Sequence, residues 1–296
     1  MTDFINTPSP SFPWKNLVLR WVLYLLLAIF AVYYMLPLFV MVITSLKSLE
    51  EIRTGSLISL PRDITFEAWG AAWTGACSGI KCEGLRPYFW NSVIMAAPAV
   101  VISTLIGAIN GYAVAQWRFR GANLIFALIL FGCFIPFQVV LLPMARLLGL
   151  MGLAGSIPGL IMVHVIYGIG FTTLFFRNYY VTIPIELVKA AKVDGASFFR
   201  IFFSVFLPLS LPIIVVTVIW QFTQIWNDFL FGVSFSEAGT QPVTVALNNI
   251  VNSTTRVKEY NVDMASAIIA ALPTLAVYVI AGKYFIRGLT AGSVKG

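Results

Sequence analysis

Apolar residues run almost unbroken through six stretches, about 18 to 45, 88 to 117, 122 to 145, 155 to 176, 207 to 227 and 264 to 284, with charges or prolines at their ends. Each meets the roughly 20 residues that a helix needs to cross the hydrocarbon core of a bilayer. The pattern predicts an all-α membrane protein of six transmembrane helices. It divides the chain into an N-terminal tail at 1–17, a transmembrane domain at 18–284 and a C-terminal tail at 285–296. The first run is uncharged from Trp21 to Ser45. That is too long for the apolar region of a secretory signal, and no small-residue cleavage site follows it, so it reads as a retained span. The tail before Trp14, with its prolines and serines, reads as flexible.

Polar positions inside the runs carry the next layer. In the fifth, Thr217, Gln221, Gln224 and Asp228 recur at intervals of four, three and four residues, which places them on one helical face. Lipid penalises such a stripe, so it faces either a protein interface or an aqueous path. Trp226 and Asn227 lie at its outer end, and Gln138 in the third run sits at a similar depth. The single histidine, His164, falls within the fourth run and reads first as a buried hydrogen-bonding group. Gly107 and Gly111 are spaced to let two spans approach closely, and Pro98, Pro136, Pro143 and Pro273 are placed to kink their helices.

Between the fourth and fifth runs lies the longest inner loop, at 177–206. It predicts a short helix over 182–196. Pro184 suits a first turn, Glu186 complements the positive helix end, and Gly195 after Asp194 is a natural stop. Ala190 and Ala191 offer a low surface for another backbone. Phe198, Phe199, Phe202 and Phe203 supply an apolar anchor ahead of Leu207 and Pro208.

Composition agrees with the pattern. Hydrophobic residues make up 59% of the 296, charged ones only 10%, and the mean hydropathy is +0.89. With the N-terminus inside, the inner segments hold eleven basic residues against three acidic ones, and the outer segments eight against nine. The net charge of +7 thus reports topology, with both ends cytoplasmic, and gives no argument for nucleic acid. Cys77 and Cys82 share the first outer loop. An oxidising exterior permits a bridge between them, and two incidental thiols fit as well. Cys133 is alone in the third run. No histidine and cysteine cluster has metal-ligand spacing, and no paired carboxylates or nucleophile constellation suggests an enzyme.

The run "AAKVDGASFFRIFFSVFLP" resembles the cytoplasmic signature loop of ABC importer permeases through Ala190, Ala191, Asp194, Gly195, Ala196, Phe202, Leu207 and Pro208. Lys189 stands where that family usually has glutamate, so a salt bridge from this position is lost. "GYAVAQWRFRG" at 111–121 and "GLTAGSVKG" at 288–296 are similar to maltose-type permeases of carbohydrate-uptake importers. "FFRNYYVTIP", "WQFTQIWNDFLFG", "ALNNIVN" and "KEYNVDM" resemble the glucose/mannose branch most. The resemblance covers roughly residues 85 to 296.

It implies a type I ABC importer permease fold in a bacterial inner membrane, surrounded by lipid. The implied partners are a second homologous permease, two ATPase subunits that bind ATP and magnesium, and a periplasmic sugar-binding protein. The loop from Lys189 to Pro208 would dock on an ATPase. The tail, through Gly288, Leu289, Thr290, Ala291, Gly292, Lys295 and Gly296, would extend between the ATPases. The chain itself needs no cofactor, and it contains no G-x-x-x-x-G-K-[ST] nucleotide loop. Under this resemblance the amide, carboxylate and aromatic groups of the fifth run suit a sugar, although polar contact between permeases fits them equally well. A secondary transporter or channel for a small polar solute is the rival class, and it leaves the loop and tail motifs unexplained.

Overall fold

The structure is a computed structural model and describes residues 14–56, 58–79, 81–117, 119–253 and 257–293, with side chains described from Leu17 to Gly282. The N-terminal residues expected to be flexible lie outside this range.

Helix α1 (Trp14–Ser45) begins four residues before the expected span. Its side chains from Leu17 to Phe39 are all exposed, and only its last turns pack, against α14 (Tyr260–Ser293). There Lys47 folds inward and its Nζ donates to Ser59 Oγ at 3.1 Å, while Asn261 Nδ2 donates to the Lys47 carbonyl at 3.1 Å. A buried ammonium needs such partners. Two short helices, α2 (Leu49–Thr54) and α3 (Glu67–Thr74), follow on this loop-rich end of the bundle. Strands β1 (Cys77–Ser78) and β2 (Lys81–Cys82) then form an antiparallel hairpin closed by a Cys77–Cys82 disulfide.

The centre of the molecule is the pair α4 (Arg86–Gln116) and α7 (Ile157–Tyr180), whose packing is the most extensive between any two helices. Gly107 faces Thr172 and Gly111 faces Phe176. A Cβ added at Gly111 would lie 2.6 Å from Phe176 Cβ, so the absence of side chains sets the approach of the two backbones. Thr172 Oγ1 uses that proximity to donate to Ser103 O at 3.0 Å.

Two of the six runs are not single helices. The third consists of α5 (Ala122–Cys133) and α6 (Phe137–Leu150), which meet at 102°. Pro136 sits at the break, where it cannot donate to the helical ladder. Tyr167 of α7 donates its hydroxyl to the Ile135 carbonyl freed there.

The fifth run, expected as one span over about 207 to 227, turns by 80° at Ser210 between the segments Phe198–Leu209 and Leu211–Trp226. The first comprises α9 (Phe198–Ile201), a π-helical turn (Phe202–Phe206) and α10 (Leu207–Leu209); the second is α11. Ser210 is fully buried at the corner. Its Oγ donates to Phe206 O at 2.5 Å and lies 2.7 Å from Tyr180 Oη. Among the described residues four continuous helices are long and apolar enough to span a membrane, and up to six spans result if each bent pair crosses as one.

Helices α12 (Leu230–Phe235) and α13 (Val243–Val251) close the loop-rich end. Asn249 of α13 donates to Ser78 Oγ at 3.3 Å and ties the hairpin down. Helix α14 continues to Ser293, so the backbone is helical where an extended tail was expected; Lys295 and Gly296 lie outside the described residues.

Candidate functional site

The residues expected to dock from the inner loop are arranged around α8 (Ile185–Val193), shorter than the 182–196 helix that the sequence predicts. Pro184 caps its start and Glu186 lies in the first turn. At the far end Asp194 is the C-cap and Gly195 has φ +75°, in the left-handed region where glycine is favoured. The Ala196 N–H donates to Ala191 O at 2.9 Å and the Gly195 N–H to Lys192 O at 3.0 Å. These two bonds form a Schellman closure, which satisfies the last carbonyls and stops the helix.

One face of α8 is anchored. Val188 is buried in a cluster with Tyr112, Phe176, Tyr180, Phe202 and Phe206. The Tyr112 ring is the hub, at 4.8 Å from Phe198, 5.6 Å from Phe202 and 4.6 Å from Phe206. Burial of each such side chain stabilises the loop by about 1.5–3 kcal/mol. Phe199 and Phe203, read from sequence as part of the anchor, are exposed; the π-helical turn changes which rings point inward.

The opposite face is open. Lys189 and Ala190 are exposed and Val193 is 88% exposed. Ala191, expected beside Ala190 on the open surface, is half-buried against the Tyr112 cluster because it lies three residues after Val188. Lys192 reaches back so that its Nζ lies 4.2 Å over the Trp117 ring, and Trp117 in turn donates to Tyr112 Oη at 2.9 Å. Leu207 is half-buried and Pro208 exposed at the approach to the bend. Of the tail residues, Gly288, Leu289, Thr290, Ala291 and Gly292 have only their helical backbone described.

At the other end of α11 a cavity of about 820 Å3 opens beside both broken segments. Irregular backbone within a membrane is tolerated where it is buried in protein or lines such a cavity. Residues 134–136 contribute one wall and 227–229 another. The polar stripe divides here. Thr217 is fully buried and donates within α11 to Ile213 O at 2.8 Å, while Gln221 Nε2 donates to Ser103 Oγ of α4 at 2.9 Å and ties the two helices, although Gln221 also borders the cavity. Gln224 and Asp228, the outer members, line it.

Asp228 is positioned by backbone. Its Oδ1 accepts from the Phe231 N–H at 3.3 Å and Oδ2 from the Gly232 N–H at 3.0 Å, which caps α12, while its carbonyl accepts from Thr244 Oγ1 at 2.6 Å. His164 is 5% exposed and its Nε2 lies 3.9 Å from Asp228 Oδ2, beyond a hydrogen bond. That nitrogen has no hydrogen-bond partner, so the expected satisfied core histidine is instead an incomplete one.

Asn227 is exposed at the cavity rim and donates to Thr223 O at 2.9 Å. Two expected members fall away. Trp226 is 2% exposed and donates from Nε1 to Ala270 O at 2.9 Å, because α14 covers that side of α11. Gln138 is exposed on α6, outside the cavity lining, because the 102° break redirects its helix. Sequence spacing missed Trp220 and Phe171, whose rings lie 5.8 Å apart on the lining, and Tyr167, stacked on Phe137 at 4.5 Å. Aromatic residues are too common in an apolar chain to signal a site by spacing.

Residues 88–290 match the family described as binding-protein-dependent transport system inner membrane component. A protein of Pyrococcus horikoshii described as a probable ABC transporter permease is 42% identical over 94% of this chain and 98% of its own. The xylose/arabinose import permease protein of Haloferax volcanii is 34% identical over 90% of each. In three dimensions the chain is similar to one in the crystal structure of a bacterial ABC transporter involved in the import of the acidic polysaccharide alginate. The TM-score is 0.80 at 22% identity, over 94% of this chain and all of the other.

Proposed function

Because this chain belongs to the family of binding-protein-dependent transport system inner membrane components, we propose that it is a sugar-conducting permease subunit of an ATP-driven importer. Its substrate in this reading is glucose, mannose or a small glucoside. The observation that carries the proposal is the two-faced α8. Val188 is locked into the Tyr112 cluster, while Ala190 and Val193 are left uncovered on the opposite side.

That arrangement suits a joint to a separate ATPase. Force on the exposed face passes through Val188 and Phe202 to α4 and α7, and through the Ser210 corner to α11. Helix α11 ends at the cavity, with Gln224 exposed on its lining and Asp228 just beyond. Motion of the loop thereby reaches the polar surface without a nucleotide site on this chain. Small residues at the α8 surface favour close backbone contact, and Lys189 in place of glutamate shifts the contact away from an ion pair. The tail from Gly288 to Gly296 extends the same attachment, and both chain ends face the cytoplasm.

A second permease fits the bare flank of α1, whose faces from Leu17 to Phe39 this chain leaves uncovered. The xylose/arabinose relative supports a sugar as cargo, and the binding protein that the family description names would deliver it. The test is co-purification of the tagged chain followed by uptake into proteoliposomes of radiolabelled D-glucose, D-mannose, glucosylglycerol, trehalose and maltose. ATP-dependent uptake of at least one, lost when the ATPase subunits are omitted, is expected. Uptake that persists without them would instead identify a secondary transporter or channel.

A further inference from the structure

The 820 Å3 cavity falls within the about 300–1,000 Å3 typical of small-ligand sites. It contains a polar pair that the fold leaves incomplete. His164 is 95% buried by its 5% exposure, its Nε2 is unpartnered, and Asp228 Oδ2 stands 3.9 Å away. A buried polar nitrogen without a partner is costly, and such atoms call for an explanation. Each Asp228 oxygen accepts one backbone N–H and retains further acceptor capacity. A hydroxyl is the group that completes both. It donates to the carboxylate and accepts from the imidazole in the tautomer that carries its proton on Nε2.

The rest of the lining narrows the ligand. Gln224 and Asn227 add neutral amides, while Trp220 and Phe171 add apolar faces of the kind that cover sugar C–H surfaces. Asp228 is the one carboxylate on the lining among the described residues, and no lysine or arginine accompanies it. In a low-dielectric site an incoming carboxylate would meet that charge uncompensated.

We propose that this chain carries its own binding site for a neutral sugar at the meeting of its two broken segments. There a sugar hydroxyl joins His164 to Asp228, Trp220 and Phe171 cover a C–H face, and the Asp228 carboxylate excludes acidic sugars. The site rests on the transport reading above and adds to it a location on this subunit and a charge rule. Ends of discontinuous helices around a central cavity are a recurrent way of building transporter sites. Here the cap that Asp228 provides to α12 also fixes the carboxylate on the cavity side.

The test uses the assembled complex in lipid, carrying Gln224→Cys and Cys133→Ser. Labelling of position 224 by a water-soluble methanethiosulfonate is followed by mass spectrometry with D-glucose, D-mannose, glucosylglycerol, trehalose, maltose or D-glucuronate present, and uptake of each is measured on the complex with native Gln224 and Cys133. A neutral sugar that is taken up should slow labelling by about tenfold, D-glucuronate should not, and Asp228→Asn should let D-glucuronate protect. If a transported neutral sugar gives no protection, the site is overturned and the transport reading survives. Equal protection by D-glucuronate in the Asp228 complex overturns the charge rule. If none of the five neutral sugars is taken up by the native complex, the sugar reading and this site fall together. Should Asp228→Asn fail to assemble, the comparison of neutral and acidic sugars at native Asp228 decides.

Discussion

Gln221 of α11 donates from Nε2 to Ser103 Oγ of α4 across 2.9 Å, with both side chains buried. Gly168 of α7 makes room for that amide, because any Cβ there would run into it. Three helices thus meet at one hydrogen bond beside the cavity. Replacing Gln221 with Met keeps the volume and removes the donor. The expected loss is about 0.6–1 kcal/mol, between the average for such bonds in membrane bundles and that in proteins generally. A double-mutant cycle with Ser103→Ala, read by thermal unfolding of the purified complex, checks it. Additive losses in that cycle would mean that the pair does not couple.

The α4–α7 seam gives a larger effect. Gly111→Ala places a Cβ 2.6 Å from Phe176 Cβ, with the Phe176 and Arg177 backbone close behind, so neither neighbour is a flexible side-chain tip. Separating two packed helices should cost about 1–3 kcal/mol. Gly132→Ala, which meets open space within α5, should be neutral. Equal melting temperatures for the two variants would show that the seam has slack.

The hairpin disulfide is testable without mutation. With Cys77 and Cys82 paired, alkylation of the unfolded chain before reduction should modify Cys133 alone, and all three cysteines should react afterwards. Peptide mass spectrometry reads the result. Three modified cysteines before reduction would leave the hairpin to the Asn249–Ser78 bond and its two-residue ladder. A persistent disulfide also places this end of the bundle on the oxidising side of the membrane.

Hydrophobic runs made four of the helices legible to within a few residues at most ends, since length and apolarity are what spanning requires. The same criterion is blind to a bend. The breaks at 134–136 and at Ser210 lie inside apolar sequence, and proline alone did not separate them from Pro98 or Pro273, which sit within continuous helices. Helical spacing found Gln224 and Asp228 because lipid penalises polar stripes. Trp226 joins them only by its place at the outer end of the run, and its direction depends on where α14 packs. Cys77 and Cys82 were ambiguous in sequence because pairing depends on the hairpin between them. His164 became informative only once Asp228 was seen to stop 3.9 Å short of it.

The loop around α8 separates backbone shape from surface. Gly195 has φ +75° with nothing within 4 Å of an added Cβ, so a substitution there is opposed by conformation and not by crowding. Gly195→Asn should be tolerated, because asparagine adopts the left-handed region readily. Gly195→Val should cost about 1–2 kcal/mol and loosen the Schellman closure made by Ala196 and Ala191. Ala190→Trp leaves that closure intact and places bulk on the exposed face. If the face docks on an ATPase, Ala190→Trp should abolish sugar-stimulated hydrolysis and co-purification, while melting of the permease pair stays within about 0.5 kcal/mol of the unsubstituted chain. Gly195→Val should lower both stability and coupling, and Gly195→Asn neither. Normal coupling in Ala190→Trp alongside lost coupling in Gly195→Val would move the docking surface off α8 and onto the segment that follows it.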